Sequence, residues 1–270
     1  MLLKNYVSHE KTENGYIIHG DNADVMLVFM TDDIVRIRVS FDRNFAEASY
    51  ALVTTAWEDR LDPLFESERK RIQALEIACT ETERSLKFST ETMTLVMDKS
   101  PLSFKLMNAE GKVVYRDLAE RAFEKDQLGR LSHYSYMDRE KDHFYGFGEK
   151  TGHLDKKFRR LRMNPKDAIG TDAEIGDPMY KHIPFYIRVG EDRLHAVGLF
   201  YNNSYDCVFD LGQELSGYWE RYCYYQTDGG DLDLFLINGP AVKDVISRYT
   251  MLTGTTILPT KQSLGYCAST

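Results

Sequence analysis

An antiparallel β-sandwich followed by one α-helix is the fold this 270-residue chain predicts, and three observations predict it. Short segments of alternating apolar and polar residues recur through the first two hundred residues, and a period of two marks a half-buried strand. The breaks between them are short and polar, which suits antiparallel neighbours rather than helical crossovers. Apolar residues take up helical spacing only after residue 240. The 17 tyrosines and 14 phenylalanines, against 7 prolines, fit the same class, since aromatic side chains favour strands.

The strands read in order along the chain. In IVRIRVSF (34–41), Val35, Ile37, Val39 and Phe41 alternate with Arg36, Arg38 and Ser40, which predicts one buried face and one solvated face. ADVMLVFM (23–30) enters it through the turn-like TDD at 31–33, giving a hairpin. Met93, Leu95 and Met97 alternate in MTLVMD, and Leu102, Phe104 and Leu106 alternate in PLSFKLM. NAEGK (108–112) then turns into VVY. FYIRV and LHAVGLFY form a hairpin over 185–201, and DLDLFLI (231–237) alternates again. The charged stretch DRLDPLFESERKRIQALEIAC (59–79) reads as a long loop or a solvated face.

The end of the chain differs. GPAVKDVISRYTMLTG places Val242, Val245, Ile246 and Tyr249 at helical spacing, with Pro240 at the first turn and Gly254 at the stop. TILPTKQSLGYCAST then reads as a connector and one short strand, which would need partners for its backbone groups. The expected division is a sandwich over 1–240, a helix and connector over 241–257, and the start of a further domain over 258–270.

A net charge of −8 and a pI near 5.4 argue against nucleic acid or an anionic membrane as partner. No apolar run approaches the roughly 18 residues of a membrane span, and MLLKNYVSHE lacks the apolar centre of a signal peptide. A cytoplasmic location is expected. Cys79, Cys207, Cys223 and Cys267 form no C-x-x-C pair and no zinc-like spacing with histidine, so free thiols are expected. No cofactor or metal is expected.

YGFGEKTG (145–152) has the look of a phosphate loop but fails its pattern. Glu149 separates Gly148 from Lys150, and His143 stands where the first glycine should be. An acid in the cradle would also repel phosphate. The order of motifs around it resembles glycoside hydrolase family 31, the α-glucosidase and α-xylosidase family. YGFGEKTG is similar to the family's Y-G-x-G-E segment, RMNPKDAIG to its Asn…Asp loop, and DPMYKHIPFYI to its Tyr-x-x-x-Pro-Phe strand. VGLFYNNSYDCVFDLG and the segment from DLDLFLING to QSLGY complete the series, so the resemblance covers about 145–270.

The resemblance implies a galactose-mutarotase-like sandwich leading into a (β/α)₈ barrel, cut at its first strand. In the family, cleavage is retaining and uses two aspartates of the barrel, so no catalytic residue is assigned to this chain. It implies an α-linked oligosaccharide or glycoside as substrate and the barrel of the same polypeptide as partner. It makes Gly146 and Gly148 positions of close packing or positive φ, Glu149 and Lys150 structural or loop-anchoring charges, and Tyr145 and Phe147 packing residues. It also implies a sandwich loop that carries an aspartate to the bound sugar. Here that residue is Asp167, although Met163 stands where many members have tryptophan. A carboxylate suits the role because it accepts strong hydrogen bonds from neighbouring hydroxyls; a loop aspartate can equally cap a turn.

Other residues are weaker candidates. Asp172, Glu174 and Asp177 lie close in sequence but lack a calcium-loop pattern. His143, His153 and His182 read as packing or surface residues. Two further functions stay open from the residues alone: a sugar mutarotase or epimerase, which needs a general acid and base across the ring, and a carbohydrate-binding module, for which the last helix and strand would have no use.

Overall fold

The computed structural model describes residues 1–45, 51–55, 70–190 and 195–266. Three antiparallel sheets dominate it. The largest has eight strands in the order Tyr6–Lys11, Gly15–Gly20, Asp24–Thr31, Ile34–Ser40, Leu232–Gly239, Ala196–Tyr201, His182–Val189 and His143–Gly148. One five-stranded sheet runs Val113–Arg116, Leu102–Asn108, Met93–Lys99, Ser85–Ser89 and Ala78–Glu81. The other runs Phe123–Lys125, Leu131–Tyr136, Tyr222–Thr227, Cys207–Asp210 and Arg160–Met163.

The core explains this layering. Val35, Ile37 and Leu234 of the large sheet meet Leu86 and Phe104 of one small sheet and Leu161 and Tyr225 of the other in a single apolar cluster. The large sheet is thus one slice of the sandwich and the two small sheets share the other. The expected hairpins over 23–41 and 185–201 form as read, with Val25 opposite Val39 and Ile187 opposite Gly198; residues 191–194 lie outside the described residues.

One expectation needs correction. The strand Ile34–Ser40 is buried on both faces, with Arg36 and Arg38 only 3% and 4% exposed. The helix Val242–Thr253 is the cause on one part of that face. Val245 and Leu252 are buried there beside Ile34, Phe235 and Ile237, and the Tyr249 ring stacks on Phe185 at 3.9 Å. Arg36 survives burial because Nε and Nη2 donate to both oxygens of Asp233, at 2.8 and 2.7 Å. Its guanidinium also lies 5.1 Å over the Phe235 ring. Arg38 Nη2 stands 3.6 Å from Asp231.

The helix begins after Pro240, where the Ala241 N–H donates to Asp244, and ends as the Gly254 N–H donates to the Thr250 carbonyl. Val245 and Leu252 are its buried residues and Tyr249 packs beside them partly buried, while Val242 and Ile246 face solvent. Beyond it the strand expected within 256–270 is absent among the described residues. Residues 255–266 are exposed, with a short 3₁₀ turn at Lys261–Leu264, because none of the described strands lies beside them to pair their backbone groups. Of the charged stretch 59–79, residues 59–69 lie outside the described residues, Lys70–Arg71 pairs with Thr54–Thr55, and Ala78–Glu81 is an edge strand.

Candidate functional site

The Tyr-Gly-Phe-Gly motif leads into the loop that carries Asp167. It ends the strand His143–Gly148, whose pairing with His182–Val189 shifts register between Gly146 and Gly148. Gly146 has φ 129° and Gly148 has φ 78°. A Cβ at Gly146 would stand 2.7 Å from the Phe185 carbonyl, and one at Gly148 2.7 Å from the Lys181 carbonyl. Both glycines are therefore needed for conformation and for close approach. Phe147 also has positive φ, at 72°, and that turn drives its ring into the core, stacked on Tyr186 at 4.9 Å. Gly146→Ala combines a disfavoured φ with a backbone clash, and a loss of about 1–3 kcal/mol is expected in urea unfolding; an unchanged midpoint would contradict this.

The residues after the motif tie down the long loop that follows. Lys150 has a side chain only 1% exposed, and its Nζ donates to Asp177 Oδ1 at 2.7 Å and to the Arg162 carbonyl. Asp177 Oδ2 in turn accepts from the Arg162 N–H at 2.6 Å. Burial pulls the Lys150 ammonium below its ordinary value while Asp177 opposes the shift. Thr151 Oγ1 donates to the Gly176 carbonyl, and the Gly152 N–H donates to Ala173 at 3.2 Å. Lys156 is buried as well, and its Nζ donates to the carbonyls of Thr151 and His153. Glu149 is different: its carboxylate is exposed, and only its backbone N–H anchors, on Lys181.

Asp167 stands on the exposed part of this loop, and its Oδ1 accepts from the Tyr180 hydroxyl at 2.8 Å. Its partner is thus a side chain across the loop. Asn164 Nδ2 donates to Asp206 and fixes the loop's start. Beside that start lies a cavity of about 570 Å³ lined by Met163, Pro165, His182, Tyr201, Tyr205 and Tyr249. His182 Nε2 is buried without a hydrogen-bond partner, and burial and the Lys150 charge hold its imidazole below the usual value.

Two of the three loop acids do separate jobs, and the third, Glu174, is exposed. Asp172 accepts from the N–H groups of Glu174 and Ile175, and Asp177 belongs to Lys150. Among the described residues no group of three His, Cys, Asp or Glu is placed to hold a metal ion. His143 pairs with Asp155 at 2.7 Å, and His153 is exposed. Sequence reasoning missed Tyr180 and Lys156, whose partners are set by the loop's return path and by carbonyls, which leave no pattern in side-chain type.

A stitched loop with a projecting carboxylate, beside an aromatic cavity, is suited to hydroxyl-rich ligands. The family model for the glycosyl hydrolase 31 N-terminal galactose mutarotase-like domain matches residues 24–210. The chain belongs to that family. Among curated relatives of this glycosyl hydrolase 31 domain, alpha-glucosidase 2 of Bacillus thermoamyloliquefaciens is 30% identical over 256 residues, 94% of this chain and 29% of the relative. The alpha-glucosidase of Saccharolobus solfataricus is 36% identical over 129 residues, 48% of this chain and 18% of the relative. The chain thus spans under a third of these enzymes. Among solved structures, a Flavobacterium johnsoniae GH31 dextranase complexed with isomaltotriose superposes with a TM-score of 0.83 over 98% of this chain and 30% of that one. At 24% identity that likeness shows the fold.

Proposed function

We propose that this chain is the substrate-shaping N-terminal domain of a retaining α-glycosidase of the α-glucosidase type, acting on terminal α-linked sugars in the cytoplasm. The observation that carries the reading is the anchored loop: buried Lys150 and Asp177 fix its return leg, so Asp167 projects from a braced segment. Asp167 accepts hydrogen bonds from sugar hydroxyls, and Tyr180 orients it. Bond cleavage belongs to the barrel of the same polypeptide. Retention needs two carboxyl groups about 5–5.5 Å apart, and the reading assigns both to that barrel. The 270-residue chain alone should then leave an aryl α-glucoside uncleaved. Cys79, Cys207 and Cys223 are free thiols, which suits a reducing compartment.

Asp167→Ala in the full-length enzyme tests the site. Hydrogen bonds to a charged acceptor contribute about 1.5–3 kcal/mol, so kcat/KM should fall roughly tenfold to hundredfold. Domain stability should stay within about 0.5 kcal/mol, as for an exposed side chain. Unchanged kcat/KM with a clear fall in Tm would make Asp167 a structural residue and end the proposal. Aldose mutarotation by the isolated chain would count against it too.

A further inference from the structure

The segment between the strands Cys207–Asp210 and Tyr222–Thr227 has a feature the site does not use. Leu215, Tyr218 and Trp219 are all exposed, Tyr218 at 96% and Trp219 at 38%. The segment that carries them is fixed at both ends. Asp210 Oδ1 accepts from the N–H groups of Gly212, Gln213 and Glu214 at 2.8–3.1 Å. The Glu214 carboxylate accepts from the hydroxyls of Tyr222 and Tyr224 at 2.9 and 3.3 Å. At the far end Arg116 holds Glu220 through two bonds of 2.9 and 3.1 Å, and packs 3.6 Å from the Tyr136 ring. Ser216 Oγ accepts from the N–H groups of Tyr218 and Trp219 themselves.

A loose loop could fold its rings onto the sheet and remove them from water. This one is stitched so that they stay out. Apolar groups kept in solvent by a braced backbone mark a contact surface, and bracing lowers the ordering cost of binding. Size and charge narrow the ligand. Two aromatic side chains of roughly 150–250 Å² each fall short of the ~800 Å² per partner that a standard protein interface buries. The −8 net charge, with Glu214 and Glu220 at the rim, disfavours polyanions. What fits is a small neutral ring with an apolar C–H face and hydroxyl edges.

We propose that the 215–219 tip is a second carbohydrate contact, on which a pyranose ring of a neutral α-glucan stacks against Tyr218 and Trp219. It is separate from the Asp167 loop. The strand Cys207–Asp210 pairs Cys207 with Met163 beside the cavity, while Asp210 opens the tip segment at the other end. At ~3.3 Å per residue the strand sets them about 10 Å apart. The choice of an α-linked glucan rests on the function proposed above; the platform itself does not.

The 270-residue chain suffices for the test, which reads binding and needs no turnover. The sequence has two tryptophans, so Trp57→Phe leaves Trp219 as the only indole. Its fluorescence is titrated with isomaltotriose and maltotriose, and with cellotriose as the β-linked probe. A saturable change with the α-linked sugars, with a Kd in the millimolar range and at least tenfold weaker after Tyr218→Ala, is expected. Circular dichroism should be the same for both variants. No saturable change in the folded protein, or an affinity indifferent to Tyr218→Ala, overturns the platform. A response to cellotriose alone overturns the α-glucan assignment. A response lost in Asp167→Ala and kept in Tyr218→Ala would put the sugar at the loop and overturn the proposal, whereas failure of the Asp167 kinetics alone leaves this reading standing.

Discussion

Asp233→Ala is expected to lower folding stability by about 3–5 kcal/mol, because it removes one partner of a buried ion pair and leaves the other charge in place. Asp233 binds Arg36 through both oxygens and also accepts from Asn202 Nδ2 at 2.7 Å. Both residues sit in adjacent central strands, with Asp233 opposite Arg38 and Phe235 opposite Arg36. The guanidinium is buried, its side chain only 4% exposed, so solvent is poorly placed to replace the carboxylate. Domains of this size are stable by only about 5–15 kcal/mol, so the variant should lose a large share of its urea midpoint at unchanged slope. A shift under 1 kcal/mol would mean that the pair is dispensable. The pH dependence has a definite sign. Burial pushes the Asp233 carboxyl up, but Arg36 and Arg38 outweigh it and hold it below the ordinary value. Its contribution is then full above pH ~4, near the unfolded value, and is lost as pH falls through the lower folded value. Asp233→Asn should remove that part of the acid sensitivity.

This same pair marks the limit of what the sequence disclosed. Period-two alternation located the strand Ile34–Ser40 and its inward residues correctly, since that pattern is local. It could not disclose that the arginine face would also be covered, because the covering helix and Asp233 lie about two hundred residues away. The tail shows the converse: an apolar extended stretch is a strand only if another strand is beside it, and none of the described strands is. At the site, the resemblance of YGFGEKTG to the family's Y-G-x-G-E segment implied backbone demands at Gly146 and Gly148, and both have positive φ, which glycine tolerates. Lys150 was legible as an anchor. Its partner Asp177, among the acids of TDAEIGDP, was not, since any of them could have reached it.

Lys150→Met should release the loop rather than unfold the domain. The methionine fills the space but leaves the Asp177 carboxylate, whose side chain is 10% exposed, without its cation. Breaking a buried pair costs about 3–5 kcal/mol if nothing moves. Here something can move: residues 164–167 and 172–175 are exposed, so detaching the loop sacrifices little apolar burial. The protein therefore takes the smaller loss by local opening. Amide exchange at Arg162, Gly152 and Gly176, whose N–H groups donate to Asp177, Ala173 and Asp172, should accelerate by about a hundredfold or more, the factor that ~3 kcal/mol sets. Residues 185–189 and the strand Ala196–Tyr201 should keep their protection, because their pairing and core contacts are untouched. Equal acceleration in both regions would mean that Lys150 holds the whole sandwich, and no acceleration would mean that the hydrogen bonds of Thr151 and Arg159 suffice to hold the loop. In the full-length enzyme the same variant should raise KM more than Asp167→Ala does at equal kcat/KM. Under the function proposed above, a tethered but unbraced Asp167 would still reach the sugar, and the ordering that Lys150 supplies in advance would have to be supplied by binding.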